Sequence, residues 1–277
     1  MLVRTIFKSL LIAASVLAGS TAVDAGARSL KKLMTADEAR DWQAVGRVEL
    51  AGTGFCTGAL IAPNLVLTAA HCMFDPYSGV MLPPSKITFM AGWRQGRAAA
   101  HRQARRVVLH PAYVHTGEAD FDTVGNDIAI VELEHPIRNS SIQPFGRAAR
   151  PGVGAQVKVV SYARDRAEMP SLEEPCEILG KSLAVLVLSC HASFGASGSP
   201  IFVVENGQPK IASVVSAKAT WHEEDVALGT SLGRPLEELM QQLQDSNGVF
   251  KSRRPAGQSL SEQLGRETTA KFLRRKP

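Results

Sequence analysis

Aromatic residues supply only 6% of this chain, cysteines number four, and past residue 25 no apolar run exceeds the length of one strand, Leu183 to Leu188 being typical. The last point excludes a membrane-crossing helix from the body of the protein, since such a helix needs about 20 apolar residues. No two cysteines stand in Cys-x-x-Cys spacing and no histidines in His-x-x-x-His spacing, which excludes the usual zinc sites, so no metal and no cofactor is expected. The chain has no internal repeat. With 21% charged residues, 23 Gly and 15 Pro over 277 positions it is neither a coiled coil, nor collagen-like, nor wholly disordered. The glycine count favours a turn-rich, strand-rich protein.

The formal charge of +5 invites a nucleic-acid reading, but its location argues against one. Residues 246–277 hold eight Lys and Arg against two Glu, a net of +6, and residues 1–25 hold Arg4, Lys8 and Asp24, a net of +1. The body, 26–245, is therefore left at −2. The basic cluster at His101, Arg102, Arg105 and Arg106 has no interleaved aromatics and is a solvated face, so no nucleic-acid partner is expected.

What is present begins with an export signal. Arg4 and Lys8 lead a short apolar core from Leu10 to Ala18, and Val23-Asp24-Ala25 offers a small-residue cleavage pattern. Residues 1–25 are read as a signal peptide and the protein as exported, periplasmic or secreted. Four cysteines agree: Cys56 and Cys72, Cys176 and Cys190 are close in sequence, and an exported chain with an even count most simply carries two disulfides, although three connectivities are open.

Residues 26–41 form a polar N-terminal stretch, expected to be a helix or a pro-segment. Short runs rich in Val, Ile, Leu and Phe follow between turn signals: 59–61, 65–67, 87–89, 106–109 and 128–131. A stretch of Asn, Ser, Pro, Gly and Arg at 138–155 marks a crossing between two halves, and a second set follows at 156–162, 176–179, 185–190, 200–204 and 211–217. Short strands at such spacing indicate barrels or sandwiches. One helix closes the body: Pro235 suits a first turn, and Leu236, Leu239, Met240 and Leu243 recur at helical spacing.

Three local patterns carry chemistry. Leu67-Thr68-Ala69-Ala70-His71-Cys72 sets a histidine in a small-residue turn at the end of an apolar strand. Asn126-Asp127-Ile128-Ala129-Ile130-Val131 sets a carboxylate at the entry of another, where an unpaired charge is costly. Gly195-Ala196-Ser197-Gly198-Ser199-Pro200 sets a serine in a glycine-bracketed turn before a strand. Each alone is bland: a structural histidine, a strand-capping aspartate, a plain turn. Together they stand in the order His, Asp, Ser. Asp120 and Asp122 lack the apolar strand that follows Asp127, and His110 and His115 fit no helical metal pair.

With these residues the chain resembles the trypsin/chymotrypsin-like serine peptidases, and within them the bacterial glutamyl-endopeptidase-like branch. The resemblance rests on Thr68 to Cys72, Asn126 to Ala129 and Gly195 to Pro200, supported by Phe55 to Ile61, His110-Pro111-x-Tyr113, Val214 to Ser216 and the helix Pro235 to Leu243. It covers roughly 42–245, a single peptidase domain. It implies an all-β fold of two packed six-stranded antiparallel barrels with a C-terminal helix, and a Cys56–Cys72 bridge. It implies catalysis by His71, Asp127 and Ser197, an oxyanion hole from the N–H groups of Gly195 and Ser197, and substrate contacts at His191, Val215 and Ser216. A polypeptide substrate and a monomer are expected.

The departures are also informative. Trypsins carry an aspartate six residues before the nucleophile; the ungapped position here is His191, and no acidic residue lies between Cys190 and Ser197. A preference for Arg or Lys is thus not expected; acidic side chains or small apolar ones are. No Ile-Val-Gly-Gly-type tetrapeptide precedes Trp42, and Ala196 stands where the partner aspartate of that activation switch would be. The functional expectation is an exported serine endopeptidase acting through an acyl-enzyme. The alternatives are a silent binding or adhesion protein on the same scaffold, and an esterase-like hydrolase. The tail 246–277 is a solvated extension, a segment removed on maturation, or an arm for an anionic partner.

Overall fold

The computed structural model of the chain describes residues 29–117 and 119–245 in full, and the backbone of residues 269–272. The leader expected over 1–25 and most of the tail expected over 246–277 lie outside the described residues. After β1 (Ser29–Lys32) come six strands: β2 (Val45–Leu50), β3 (Phe55–Ala62), β4 (Leu65–Thr68), β5 (Ile87–Ala91), β6 (Ala100–Leu109) and β7 (Ala129–Leu133). Six more follow: β8 (Gln156–Ser161), β9 (Ser171–Lys181), β10 (Val185–Leu188), β11 (Pro200–Glu205), β12 (Gln208–Trp221) and β13 (Glu224–Ser231). A short helix α1 (Phe121–Gly125) precedes β7, α2 (Gly233–Gln244) follows β13, and β14 (Thr269–Phe272) is last.

Alternation of apolar and polar side chains builds the first barrel: along β5, Ile87, Phe89 and Ala91 are buried while Thr88 and Met90 are half-buried. Its six strands close in the order β2-β3-β4-β7-β6-β5, each pair antiparallel. Register shifts at Leu60/Ala62 and Ala104/Arg106 bend β3 and β6, which lets a twisted sheet curl shut. Closure leaves the first barrel without an open edge.

The second barrel closes as β8-β9-β10-β13-β12-β11 and back to β8. On β9, Cys176, Ile178 and Gly180 are buried while Glu177, Leu179 and Lys181 are exposed, the same period of two. Two further strands are added to this barrel. Along β9, β10 pairs only from Ile178 onward, so the ladder at Ser171–Glu174 is open and β1 fills it antiparallel. Along β12, β11 pairs only as far as Val214, and β14 fills the ladder at Ala217–Thr220.

Of the two expectations for 26–41, the helix is not what the described part forms. Residues 29–32 are a strand, Leu33 is buried and donates to the Pro170 carbonyl at 2.9 Å, and the only helical piece is one turn at Arg40–Trp42. The open ladder of β9 captured a segment whose own sequence has no strand alternation.

Trp42, Phe145 from the crossing and Phe202 from β11 meet at the seam between barrels, with ring centroids 4.7–6.2 Å apart. α2 also bridges them: it ends the second barrel's chain but lays Leu236 and Leu239 into the first barrel's core cluster, while Arg106 of β6 donates to the Leu243 carbonyl at 3.0 Å. The site residues lie along this seam. Among the described residues no helix is long and apolar enough to cross a membrane.

Candidate active site

His71 stands in a single helical turn, Ala70–Met73, just past the end of β4. Alanines at 69 and 70 leave room for the turn to be buried whole, and a disulfide from Cys72 to Cys56 ties it to β3. Asp127 enters β7 from the far side of α1, whose first turn is capped by Asp120 accepting from the Thr123 N–H at 2.6 Å. Asp120 thus has a structural task, as expected of a loop carboxylate.

Asp127 is fully buried, and its charge is met by three donors. Oδ1 accepts from the backbone N–H of His71 at 2.8 Å, Oδ2 faces Nδ1 of the same imidazole at 2.6 Å, and the Ser216 hydroxyl also donates to Oδ2. A carboxylate so surrounded is tolerated in an apolar interior because both of its oxygens accept hydrogen bonds. The double contact with His71 fixes both the ring and the turn that carries it.

Ser197 belongs to the second barrel, in the loop between β10 and β11. Gly195 and Gly198 have φ of +92° and +78°, the left-handed region where side chains are strained. A Cβ on Gly195 would lie 2.5 Å from the Phe55 ring, and one on Gly198 would lie 2.1 Å from Thr68 Oγ1, so sterics and backbone both demand glycine. The loop is fastened on both sides. The first barrel's Thr57 donates its N–H to the Ser197 carbonyl at 2.8 Å and its hydroxyl to the Gly195 carbonyl at 2.9 Å; Thr68 Oγ1 donates to the Thr57 carbonyl at 2.8 Å. On the other side, Gly198 N–H donates to Val215 O at 2.8 Å and Val215 N–H to Ser199 O at 2.9 Å. With the carbonyls held, the N–H groups of Gly195 and Ser197 make no hydrogen bond to any described residue. The Ser197 hydroxyl is buried, also without a partner among the described residues.

The second disulfide, Cys176–Cys190, anchors the start of this loop to β9. The next residue, His191, is exposed at its side chain, and both its N–H (2.9 Å) and its Nδ1 (3.1 Å) meet one oxygen of the buried Glu173. Val215 and Ser216 both turn their side chains inward. Val215 packs into the second barrel's core with its backbone spent on the serine loop, and Ser216 is buried against Asp127. Sequence reasoning gave no task to Thr57, quoted only within the Phe55–Ile61 run, and none to Glu173; a threonine within a strand and one of two adjacent glutamates carry no signal of such duties.

On the His71 and Gly195 side the surface opens into a cleft of about 290 Å³. Phe55, the Cys56–Cys72 bridge, Phe74 and Phe194 give it an apolar wall, and Arg164 stacks over the Phe194 ring at 4.6 Å.

A family model described as Trypsin matches residues 34–174. Mannan-binding lectin serine protease 1 of Mus musculus is 34% identical over 125 residues, which is 40% of this chain and 17% of that protein. Serine protease 56 of Mus musculus is 28% identical over 205 residues, 65% of this chain and 32% of that one. The chain thus spans about a sixth to a third of the length of these curated relatives. Among solved structures, a Glu endopeptidase in complex with MPD superposes with a TM-score of 0.64 at 17% identity, covering 78% of this chain and 97% of its own. That likeness is one of fold.

Proposed function

The chain belongs to the trypsin family, and on that premise we propose that it is an exported serine endopeptidase in which Ser197 is the nucleophile, His71 the general base and Asp127 the residue that orients it. One observation carries the proposal: a buried serine hydroxyl lacking any partner among the described residues, in a turn with two obligatory glycines that is fastened to Thr57 of the barrel carrying the His71–Asp127 pair.

Each step follows from a named atom. As Ser197 Oγ attacks the carbonyl carbon of a peptide bond, its proton passes to Nε2 of His71. Asp127, accepting from Nδ1, keeps the tautomer in which Nε2 is basic and stabilises the imidazolium that forms. The negative charge that develops on the carbonyl oxygen meets the N–H groups of Gly195 and Ser197, donors of a kind worth about 3–4 kcal/mol each to a transition state. His71 then hands its proton to the departing amine, leaving an ester on Ser197, and water repeats the sequence to release the acid. Ser216, by donating to Asp127, keeps that carboxylate aimed.

The pocket is not built for a basic side chain, because the segment from Cys190 to Ser197 has no acidic residue and His191 is held by Glu173. Export is supported by the leader pattern of residues 1–25 and by two formed disulfides, which persist in oxidising compartments. The test pairs the chain with its Ser197→Ala variant. Both are exposed to a fluorophosphonate probe and then to a diverse peptide mixture read by mass spectrometry. Labelling and cleavage by the parent alone, after residues other than Arg and Lys, is the expected result. A folded parent that takes up no label would overturn it.

A further inference from the structure

The strand that carries Ser216 runs on past the active site. From Val215 its backbone is committed to the serine loop, and Ser216 reaches Asp127; beyond them the ladder on that side of β12 is open to a visitor. An open ladder ending at a nucleophile is a docking strand for extended polypeptide, because main-chain pairing delivers the visiting chain to the serine whatever its side chains are. In this molecule the place is taken. β14 pairs antiparallel with β12 from Thr269 opposite Thr220 to Phe272 opposite Ala217, and so runs toward Ser216. Ser197, meanwhile, is only 1% exposed, a nucleophile shut off from solvent, while the cleft on the His71 side stays open.

We propose that β14 is a competitor in cis: the chain's own C-terminal strand occupies the β12 edge that an extended polypeptide substrate would use, and turnover requires it to leave. Inhibition rests on the peptidase reading above; occupancy of the edge does not. The register contains its own release. Lys271 lies directly opposite Lys218, an exposed residue, and like charges at facing positions weaken a strand pair. A tail docked nine-tenths of the time lowers the apparent affinity for substrate about tenfold.

The test compares the full chain with two variants. Ala270→Pro/Lys271→Pro removes one ladder donor whichever way the strand faces, and Lys271→Glu replaces a repelling pair with an attracting one. Fluorescein-labelled casein at sub-saturating concentration reads turnover, and the fluorophosphonate probe confirms an assembled nucleophile in each version. A labelled synthetic peptide of residues 266–277 reads the edge directly by anisotropy, in the Ser197→Ala background so that it is not cut. The proline variant is expected to cut casein about tenfold faster and to bind the peptide about tenfold more tightly than the parent, with Lys271→Glu about threefold slower than the parent. Equal casein rates in labelled parent and proline variant would overturn the inhibition, and equal peptide affinities would overturn the docking itself. If no version takes label or cuts casein, the peptidase reading falls, and the peptide arm still decides who occupies the edge.

Discussion

Among the described residues the first barrel closes with six strands and takes no further one; the second closes with six and takes one further strand at each of two places. Both additions occur where a barrel strand outlasts its neighbour, β9 before Ile178 and β12 after Val214. The division of labour follows the same line. The first barrel supplies His71 and Asp127, locked to each other by two hydrogen bonds within one closed shell. The second supplies Ser197, on a loop that needs Thr57 of the first barrel to hold its shape. On the function proposed above, the closed half fixes the base, and the half with added strands carries the nucleophile.

The largest effect should come from the closed half. Asp127→Asn leaves the site's volume unchanged but offers His71 a donor where it needs an acceptor, favouring the wrong tautomer, and kcat is expected to fall by about 10⁴. Ser216→Ala, which removes one of the donors to the same carboxylate, is expected to cost about tenfold, the loss of roughly 1.4 kcal/mol. If steady-state kinetics found the two losses equal, Ser216 would be as essential as the aspartate and the assignment of orientation to the first barrel would fail.

Next in size are the two disulfides, one per barrel, closing loops of nearly the same length with separations of 16 and 14. Chain entropy alone makes them equivalent, about 3 kcal/mol each. Replacing either pair by serines should therefore lower Tm by similar amounts in calorimetry. Activity measured well below both transitions should separate them: losing Cys56–Cys72 loosens the turn of His71, and losing Cys176–Cys190 loosens the loop that begins at His191. A stability loss confined to one pair would show that the barrels do not unfold as one cooperative unit.

A subtler break is Thr57→Val, which keeps the strand and its N–H but deletes the hydroxyl shared by Gly195 O and the Tyr162 backbone. Stranding buried groups costs about 1–3 kcal/mol. The serine loop should relax first, so fluorophosphonate labelling should slow at temperatures where circular dichroism is still native. Unchanged labelling would mean that the Thr57 N–H and β12 hold Ser197 without the hydroxyl.

How much of this was legible in the sequence also differs between halves. The first barrel's strands show their apolar runs, and the Thr68–Cys72 and Asn126–Ala129 segments are distinctive enough to name a family; the family match itself spans 34–174 and stops before the serine. In the second half the six-residue motif at 195–200 carried the resemblance, with only Val214 to Ser216 and the helix Pro235 to Leu243 in support. β13 went unread because it begins with Glu224 and Asp225 and ends in small residues. β1 and β14 could not be read at all. They are four residues each, β1 exposed at every position, and they exist because a ladder elsewhere was open. Strands added to an edge are a property of the partner's backbone, and their own side chains need not announce them. Nor does the sequence show that the Val215 backbone bonds the serine loop or that the Ser216 hydroxyl reaches Asp127; only the register reveals these contacts.

The smallest predicted effect concerns the joint between the halves. His110, at the end of β6, is buried; its Nδ1 accepts from the Ala112 N–H at 3.3 Å and its Nε2 meets Glu238 of α2 at 3.1 Å. Both contacts suit a neutral ring with its proton on Nε2. Burial pushes the imidazole below its ordinary value near 6.5; the Glu238 carboxylate opposes this, and Arg234, which pairs with Glu238 at 3.3 Å, adds to it. Burial prevails because charging the ring would also forfeit the bond from Ala112. With the folded value below the unfolded one, the unfolded chain binds more protons in the interval between them. The joint is therefore at full strength above pH 6.5 and weakens as the pH falls, by at most about 1.4 kcal/mol per pH unit. His110→Gln keeps a donor for Glu238 and removes the titration. Thermal unfolding followed from pH 7 to pH 5 should decline less steeply in the variant than in the parent, and parallel declines would show that α2 is held to the first barrel by Leu236, Leu239 and Arg106 without help from a neutral histidine.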